Sequence, residues 1–385
     1  MKPSLEREAR IFIGAGEVSG DLHGSFLVNE LKKLSPHLSF FGVGSEKLSA
    51  AGVAVRFDLT GRASVGLLEA LPNLFPIFFA FNKIKRLLLA ERPDLAILID
   101  SQGINLPLAR FCKKLGIKTV YYIPPHEWLW GTPRGVSAVA RLIDLIVAIF
   151  PKEYEAYKAA GANVIYEGHP LIDIIQSSKT RQFGIRNSAF VISLCPGSRT
   201  HELQTMLPVL LKSAELIQRE RPDAQFLIPA ASSSIHDYLK TLIRHSSFVI
   251  RNYKIVSVQT DDCLAQSQLA ICTSGTINLE ASLLGVPNIM AYKLSPLTYF
   301  LGKHLLKIDR KLKYFSMPNI LLDERIVPEL TMEKASPELI ASTALALLRD
   351  RPEQERMRAA FQRLRRQLGA PGVIARVADA ILKAL

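Results

Sequence analysis

The sequence predicts an α/β protein of two doubly wound parallel-sheet domains, and three observations carry that expectation. Apolar runs of strand length alternate with helix-patterned segments, the alternation falls into two sets, and a polar stretch separates the sets. In the first set, strands are expected at residues 10–15, 40–43, 94–99, 118–123 and 144–150, and helices at 22–34, 106–115 and 152–160. In the second, strands are expected at 189–195, 224–229, 247–253, 269–272 and 288–292, and helices at 202–219 and 276–284. Residues 176–187, rich in serine, lysine and arginine, read as the linker. The expected domains are therefore 1–175 and 188–365, both Rossmann-like. A final helical segment, 366–385, can pack on either domain, a return to the amino-terminal one included. Ligands of open α/β sheets bind beyond the carboxyl ends of the strands, so two such domains facing each other would line one cleft.

Composition narrows the function classes. A chain of 385 residues is long enough for two or three domains of about 150 residues each, and 48% hydrophobic with 22% charged residues excludes a disordered chain. The net charge of +13 calls for a polyanionic partner, whether nucleic acid, anionic lipid or a phosphorylated substrate. Cys112, Cys195, Cys263 and Cys272 show no metal-knuckle spacing, which fits a reducing cytoplasm. The first ten residues are polar and charged, unlike a secretory signal. No apolar run approaches the roughly 20 residues of a spanning helix, so a soluble or membrane-surface protein is expected. No HExxH, HxxxH or carboxylate cluster marks a metal site.

Three loops carry the chemistry. Thr273-Ser274-Gly275-Thr276 lies between the strand 269–272 and the helix that follows it. Backbone N–H groups at such a helix start are unpaired and bear about half a positive charge, an attractive setting for a phosphate or diphosphate. Glu280 shares a helix face with Thr276 and is suited to sugar hydroxyls rather than to phosphate. Ser198 and Arg199, in Cys195-Pro196-Gly197-Ser198-Arg199, occupy an equivalent loop, with Arg199 suited to bidentate phosphate contact. In the first half, Gly14-Ala15-Gly16-Glu17-Val18-Ser19-Gly20-Asp21 departs from the dinucleotide fingerprint and places an acid where a pyrophosphate would be repelled.

Asp100 closes the apolar strand Leu95-Ala96-Ile97-Leu98-Ile99 and is the first choice of general base, able to take a proton from an attacking hydroxyl as the bond forms. Glu17 is the rival. His169 reads as a structural hydrogen-bonding residue near the domain junction. The stretch Phe75, Phe78, Phe79 and Phe81, followed by Lys83, Lys85 and Arg86, reads either as a core helix or as a membrane-interface segment whose rings enter the acyl boundary while its cations meet anionic headgroups. A second basic stretch, from Lys293 to Phe315 in the sequence, reads as a solvated face, and no base-reading motif supports nucleic acid.

These residues together resemble the bacterial lipid-A-disaccharide synthase family of GT-B glycosyltransferases over nearly the whole length. The landmarks are Ala15-Gly16-Glu17-Val18-Ser19-Gly20-Asp21, Ser64-Val65-Gly66-Leu67-Leu68-Glu69, Asp100 with Asn105, Trp128 and Trp130, and Gly168-His169-Pro170. They continue with Pro196-Gly197-Ser198-Arg199 and Glu202, Ser274-Gly275-Thr276 and Glu280, Ser295-Pro296-Leu297-Thr298, and Pro318-Asn319 with Leu321. The resemblance implies inverting, metal-independent transfer of 2,3-diacylglucosamine from its UDP donor to 2,3-diacylglucosamine 1-phosphate, with no cofactor. It implies a place at the cytoplasmic face of the inner membrane of a Gram-negative-type bacterium, and it leaves a homodimer open. Arg199, Ser198, Ser274, Gly275, Thr276, Glu280 and Asn319 would hold the donor, and Ser19, Asp21, Asn105, Trp128 and Trp130 the acceptor. Gln102-Gly103 replaces the family's usual Pro-Asp, Gly131 stands where arginine often follows the second tryptophan, and His126-Glu127 replaces small residues. These departures cluster on the acceptor side. The alternatives are another UDP-sugar enzyme of the same architecture and a noncatalytic nucleotide- or lipid-binding protein.

Overall fold

The computed structural model describes residues 8–59, 74–129, 131–177, 190–246, 248, 250–257, 260–293 and 313–385, with the backbone alone at 74–78 and 177. The chain forms two compact units: Met1–Ile174 together with Leu368–Leu385, and Ile175–Gln367. Each is a parallel sheet covered by helices.

In the first unit the strands are β1 (Arg10–Ala15), β2 (Ser39–Val43), β3 (Ala54–Phe57), β4 (Leu95–Ile99), β5 (Lys118–Tyr122), β6 (Leu145–Ala148) and β7 (Val164–Tyr166). They pair in parallel in the order β3-β2-β1-β4-β5-β6-β7. The connecting helices are α1 (Val18–Leu34), α2 (Glu46–Ala50), α3 (Leu74–Glu91), α4 (Gln102–Lys114), α5 (Pro133–Leu142), α6 (Pro151–Ala159) and α7 (Leu171–Ser177). Strand β4 is buried at every residue because helices cover both of its faces, which is why it is apolar throughout. Helix α1 starts four residues before the expected position and α4 starts one turn before it, so Ser19 and Asp21 are helical residues and not loop residues.

The second unit contains β8 (Phe190–Cys195), β9 (Ala224–Ala230), β10 (Tyr253–Ser257), β11 (Leu269–Cys272), β12 (Asn288–Tyr292) and β13 (Glu329–Thr331), in the parallel order β10-β9-β8-β11-β12-β13. Its helices are α8 (Thr200–Glu220), α9 (Ser233–Arg244), α10 (Thr260–Ala265), α11 (Thr276–Leu283), α12 (Met317–Leu322), α13 (Pro337–Arg349) and α14 (Arg351–Gln367). The strand expected at 247–253 begins instead at Tyr253, an edge position with Tyr253 and Lys254 exposed.

The last helix, α15 (Val373–Ala384), belongs to the first unit and packs on α1. Asp173 holds its start: Oδ1 accepts from the Gly372 N–H at 2.7 Å and Oδ2 from the Ile374 N–H at 2.8 Å. A carboxylate at a helix amino terminus satisfies otherwise orphaned donors and opposes the positive end of the dipole. Arg376 adds an ion pair to Glu167 at 3.0 Å.

Candidate active site

Each sheet changes winding direction once, between β1 and β4 in the first unit and between β8 and β11 in the second. Open parallel sheets take ligands just beyond the strand ends at such a point. The register sets both members of each pair level, Ala15 beside Ile99 and Cys195 beside Cys272. The loops that leave these four strand ends are those carrying the motif residues.

In the first unit Asp100 follows β4 directly. Asp100 (φ 51°) and Ser101 (φ 45°) both take the left-handed conformation, as does the β-branched Ile123 (φ 60°) just past the neighbouring β5. For residues other than glycine this costs roughly 1–2 kcal/mol each, and it persists only where surrounding bonds impose it. The Asp100 carbonyl accepts from Tyr121 Oη at 2.8 Å and Asn105 Nδ2 at 2.9 Å, while the Asp100 N–H donates to the Tyr122 carbonyl at 3.2 Å. On the side-chain side, Ser19 Oγ donates to Asp100 Oδ2 at 3.2 Å. Glu17 sits at the N-cap of α1 and adds its charge to the same neighbourhood, as its influence on Tyr121 shows.

The glycines of this loop have a packing reason. A Cβ at Gly16 would lie 2.8 Å from Ser101 Oγ, and one at Gly14 would lie 2.9 Å from Asn105 Oδ1. They admit the Asp100 turn, not a pyrophosphate.

Two expected acceptor residues turn out to serve the scaffold. Asp21 is buried, and its carboxylate accepts from the N–H groups of Ser45 at 2.6 Å, Lys47 at 3.0 Å and Leu48 at 3.3 Å, which caps α2. Burial raises the Asp21 pKa against the lowering effect of those bonds. Asn105 is likewise buried, and its Nδ2 ties together the carbonyls of Gly14, Ile99 and Asp100. It positions Asp100 and has no amide hydrogen left for a ligand. Trp128 lies against Phe150 (ring centroids 6.1 Å) and His126 (6.5 Å), with a buried Nε1–H that has no hydrogen-bond partner among the described residues. Trp130 lies outside the described residues.

Three histidines gather at this edge. His23 and His169 are buried with ring centroids 6.3 Å apart, and the His169 Nδ1 accepts from the Leu171 N–H at 3.2 Å. Burial lowers the His23 pKa to about 4, helped by the Lys47 charge. Burial also drives His169 well below the ordinary imidazole value, with His23 and His126 adding to the effect. Groups with depressed imidazole pKa values stabilise the fold above about pH 6.5, and that contribution is lost as the pH falls, because the unfolded chain takes up protons the native chain refuses. Between pH 7 and 5, His23 alone is expected to remove about 2 kcal/mol of stability. Urea denaturation at the two pH values checks this, and His23→Asn should flatten the dependence. An unchanged midpoint would refute it.

In the second unit Gly275 (φ 132°) is the N-cap of α11, and among the described residues no side chain caps that helix. Gly275 and Thr276 are exposed and Ser274 is half-buried. No hydrogen bond to the Ser274 or Thr276 hydroxyl occurs among the described residues, so the helix start faces outward with donors available. Glu280, one turn on, is half-buried. Below the surface Asn288 Nδ2 donates to Ser282 Oγ at 3.1 Å and to the Val286 carbonyl at 3.0 Å, fastening α11 to β12.

The neighbouring loop is shaped by Glu202. Its Oε2 accepts from the Ser198 N–H at 3.2 Å and its Oε1 from Arg199 Nη1 at 2.9 Å. Gly197 (φ 112°) is required because a Cβ would meet Glu202 Oε2 at 2.6 Å. The Arg199 charge is thus balanced locally, and the open start of α11 is the stronger anion feature.

Asn319 departs from its expected role. It is fully buried: Oδ1 accepts from the Ile326 and Val327 N–H groups, and Nδ2 donates to the Val327 carbonyl and to Glu329 Oε1, all at 2.9 Å. Both side-chain polar atoms are thus engaged within the fold.

Helix α3 divides the apolar-basic segment. Ile84 and Leu88 are fully buried, and Phe81 packs on the same core with Lys85 Nζ 4.4 Å from its ring centroid. Phe81 and Lys85 are therefore core-side residues, since they lie on the turn facing Ile84. Phe79, 63% exposed, shares the opposite face with the exposed Lys83 and Arg86, at i, i+4 and i+7. The side chains of Phe75 and Phe78 lie outside the described set, as do most of the linker, most of the second basic stretch and the landmarks at 64–69 and 295–298. Among the described residues no helix is long and apolar enough to cross a membrane, and no group of three or more His, Cys, Asp or Glu is placed to hold a metal ion.

Sequence reasoning missed one pair. His126, in the loop after β5, bonds through Nδ1 to Glu153 Oε1 at 2.9 Å, and the Glu153 carboxylate is fully buried. The two residues are 27 apart in sequence, and only the adjacency of β5 and β6 brings them together.

Comparison with known proteins accords with this geometry. A family model described as lipid-A-disaccharide synthetase matches residues 11–383. A lipid-A-disaccharide synthase of Geobacter metallireducens is 40% identical over 384 residues, covering 98% of this chain and 97% of its own. Another, from Gloeothece citriformis, is 36% identical and covers 97% and 99%. Among solved structures, the UDP-GlcNAc 2-epimerase of Neisseria meningitidis bound to UDP-GlcNAc superposes with a TM-score of 0.60 at 12% identity, covering 97% of this chain and 100% of its own. The calicheamicin glycosyltransferase CalG4 gives 0.59 at 17% identity, covering 98% of both chains. Those likenesses establish the GT-B fold, and the match along nearly the entire sequence establishes the rest: the chain belongs to the lipid-A-disaccharide synthase family of glycosyltransferases.

Proposed function

We propose that the chain transfers 2,3-diacylglucosamine from its UDP donor to the 6-hydroxyl of 2,3-diacylglucosamine 1-phosphate, releasing UDP and forming the β-1,6 disaccharide 1-phosphate. Family membership supports the reaction. The observation that carries the assignment of parts is the contrast between the two winding-reversal points. One presents an uncapped helix start, suited to a departing diphosphate. The other presents a carboxylate on a strained turn, suited to a hydroxyl. On this reading Ser274, Gly275 and Thr276 bind the diphosphate, Ser198 and Arg199 flank it, and Glu280 accepts from the ribose. Asp100, set by Ser19, is the carboxylate to which the acceptor hydroxyl donates, with Glu17 beside it and Trp128 lining the acceptor side.

Incubation of the purified protein with acylated and unacylated UDP-glucosamine, each with the acyl acceptor, tests the reading by mass spectrometry. Disaccharide 1-phosphate from the acylated donor alone is expected. Turnover of only the unacylated sugar would point to another UDP-sugar enzyme, and nucleotide binding without turnover to a binding protein.

The exposed face of α3 is the proposed contact with an anionic bilayer, where both substrates reside. Replacing Lys83 and Arg86 by glutamine is expected to weaken flotation with anionic liposomes by about 2 kcal/mol, roughly 30-fold. Phe79→Ser should weaken it further without lowering the melting temperature. Unchanged flotation would remove this surface from the account.

A further inference from the structure

The His126–Glu153 pair has the construction of a base and its orienting carboxylate. Glu153 lies in the first turn of α6, fully buried, with Oε2 accepting from the Ile149 N–H at 2.9 Å and Oε1 bonded to His126 Nδ1 at 2.9 Å. Both carboxylate oxygens are engaged, so the imidazole is held with its proton on Nδ1 and its Nε2 lone pair directed away from Glu153. The ring packs against Phe150 (5.5 Å) and Trp128 (6.5 Å) and is one third exposed. No partner for Nε2 occurs among the described residues. A nucleophile's proton acceptor held by a third group is the recurring arrangement of activated hydroxyls.

The surroundings favour proton transfer over anion binding. The charged and titratable groups whose fields act on the ring are Glu153 from α6, Asp100 from the end of β4, Glu17 from the start of α1 and, across the Phe150 ring, His169 from the segment before α7. Three carboxylates around one imidazole repel a phosphate. Burial disfavours the imidazolium, but the Glu153 bond and the charges of Glu153, Asp100 and Glu17 outweigh it, and the His126 pKa is raised above the ordinary 6.5. A base is most effective when its pKa lies near the working pH, a condition an ordinary carboxyl near ~3.9 does not meet.

We infer that the proton of the acceptor hydroxyl, accepted first by the Asp100 carboxylate as the oxygen attacks, ends on Nε2 of His126, which Glu153 positions. The inference rests on the proposed glycosyl transfer and deepens it. The O–H bond breaks as the oxygen's electron pair forms the new bond to the anomeric carbon. The anomeric C–O bond to the diphosphate breaks with its pair leaving on UDP, and the released proton makes His126 an imidazolium whose charge Glu153 balances.

The test is the pH profile of disaccharide formation, with histidine NMR on the same proteins. The parent should lose kcat as the pH falls through a limb above 6.5, because the imidazole must be neutral to accept a proton. His126→Gln should lower kcat by roughly 10²–10⁴-fold and abolish that limb, with UDP affinity unchanged. Glu153→Gln, which keeps the shape of the buried side chain, should move both the limb and the His126 NMR titration to lower pH. A purely structural role would lower the melting temperature and leave the limb in place. Parental kcat with an unmoved limb in His126→Gln overturns the inference alone, as does a His126 resonance titrating below pH 6. A parent that turns over neither substrate removes the functional reading and this inference with it.

Discussion

Asp100→Asn is expected to reduce disaccharide formation by roughly 10²–10⁴-fold, the range for loss of a group that engages a proton in flight, while UDP binding is unchanged. The substitution keeps the shape of the turn, since the bonds that hold it run through backbone atoms: the Asp100 carbonyl to Tyr121 and Asn105, and its N–H to Tyr122. Ser19 can still donate to the remaining amide oxygen. A fall in kcat at constant melting temperature therefore reports chemistry and not collapse of the strained segment. Wild-type turnover in this variant would remove Asp100 from the mechanism and direct attention to Glu17.

For Asn319→Ala the expected result is the opposite: a stability defect and no specific loss of donor affinity. The change leaves the Ile326 and Val327 N–H groups and the Val327 carbonyl without partners, and Glu329 without one of its donors. Buried groups left unsatisfied cost about 1–3 kcal/mol each, partly recovered by water and relaxation, so a net loss of about 3 kcal/mol or more is expected. In a unit of this size that lowers the melting midpoint by on the order of 10 °C. Thermal denaturation followed by circular dichroism measures it. An unshifted midpoint with a raised KM for the UDP donor would return Asn319 to the donor site.

How much of this was legible in the sequence depended on burial. Strands β1, β4, β8, β11 and β12 are apolar because both faces are covered, and such runs identify themselves. Strands β3, β7 and β13 went unread, being three or four residues long and partly exposed, with little apolar signal to mark them. The displaced β10 is another edge strand, where pairing with β9 and not composition decides the register. Helix α4 is expected from Leu106 on its apolar pattern. The Ser101 carbonyl instead accepts from the Ile104 and Asn105 N–H groups and starts the helix one turn earlier.

The candidate site divides in the same way. Ser274, Gly275 and Thr276 were readable because an uncapped helix start after a buried strand is a local feature. Asp100 was readable as the first polar residue after a fully apolar strand. Asp21, Asn105 and Asn319 have equally polar side chains, but the partners of Asp21 lie 24 to 27 residues away and those of Asn319 7 to 10, and the Asn105 amide hydrogens are taken by carbonyls 5, 6 and 91 residues away. The division of α3, with Phe81 and Lys85 turned inward and Phe79 outward, also required knowing which side the sheet occupies.

Local pattern was enough to determine the alternation of strand and helix, the two-part organisation, the anion-suited loop and the acid at the end of β4, because each depends on neighbours within a few residues. Which polar side chains remain available to a ligand was decided only in three dimensions. A hydrogen bond claimed by a distant backbone group leaves no trace in the sequence, and neither does the meeting of His126 with Glu153 across adjacent strands.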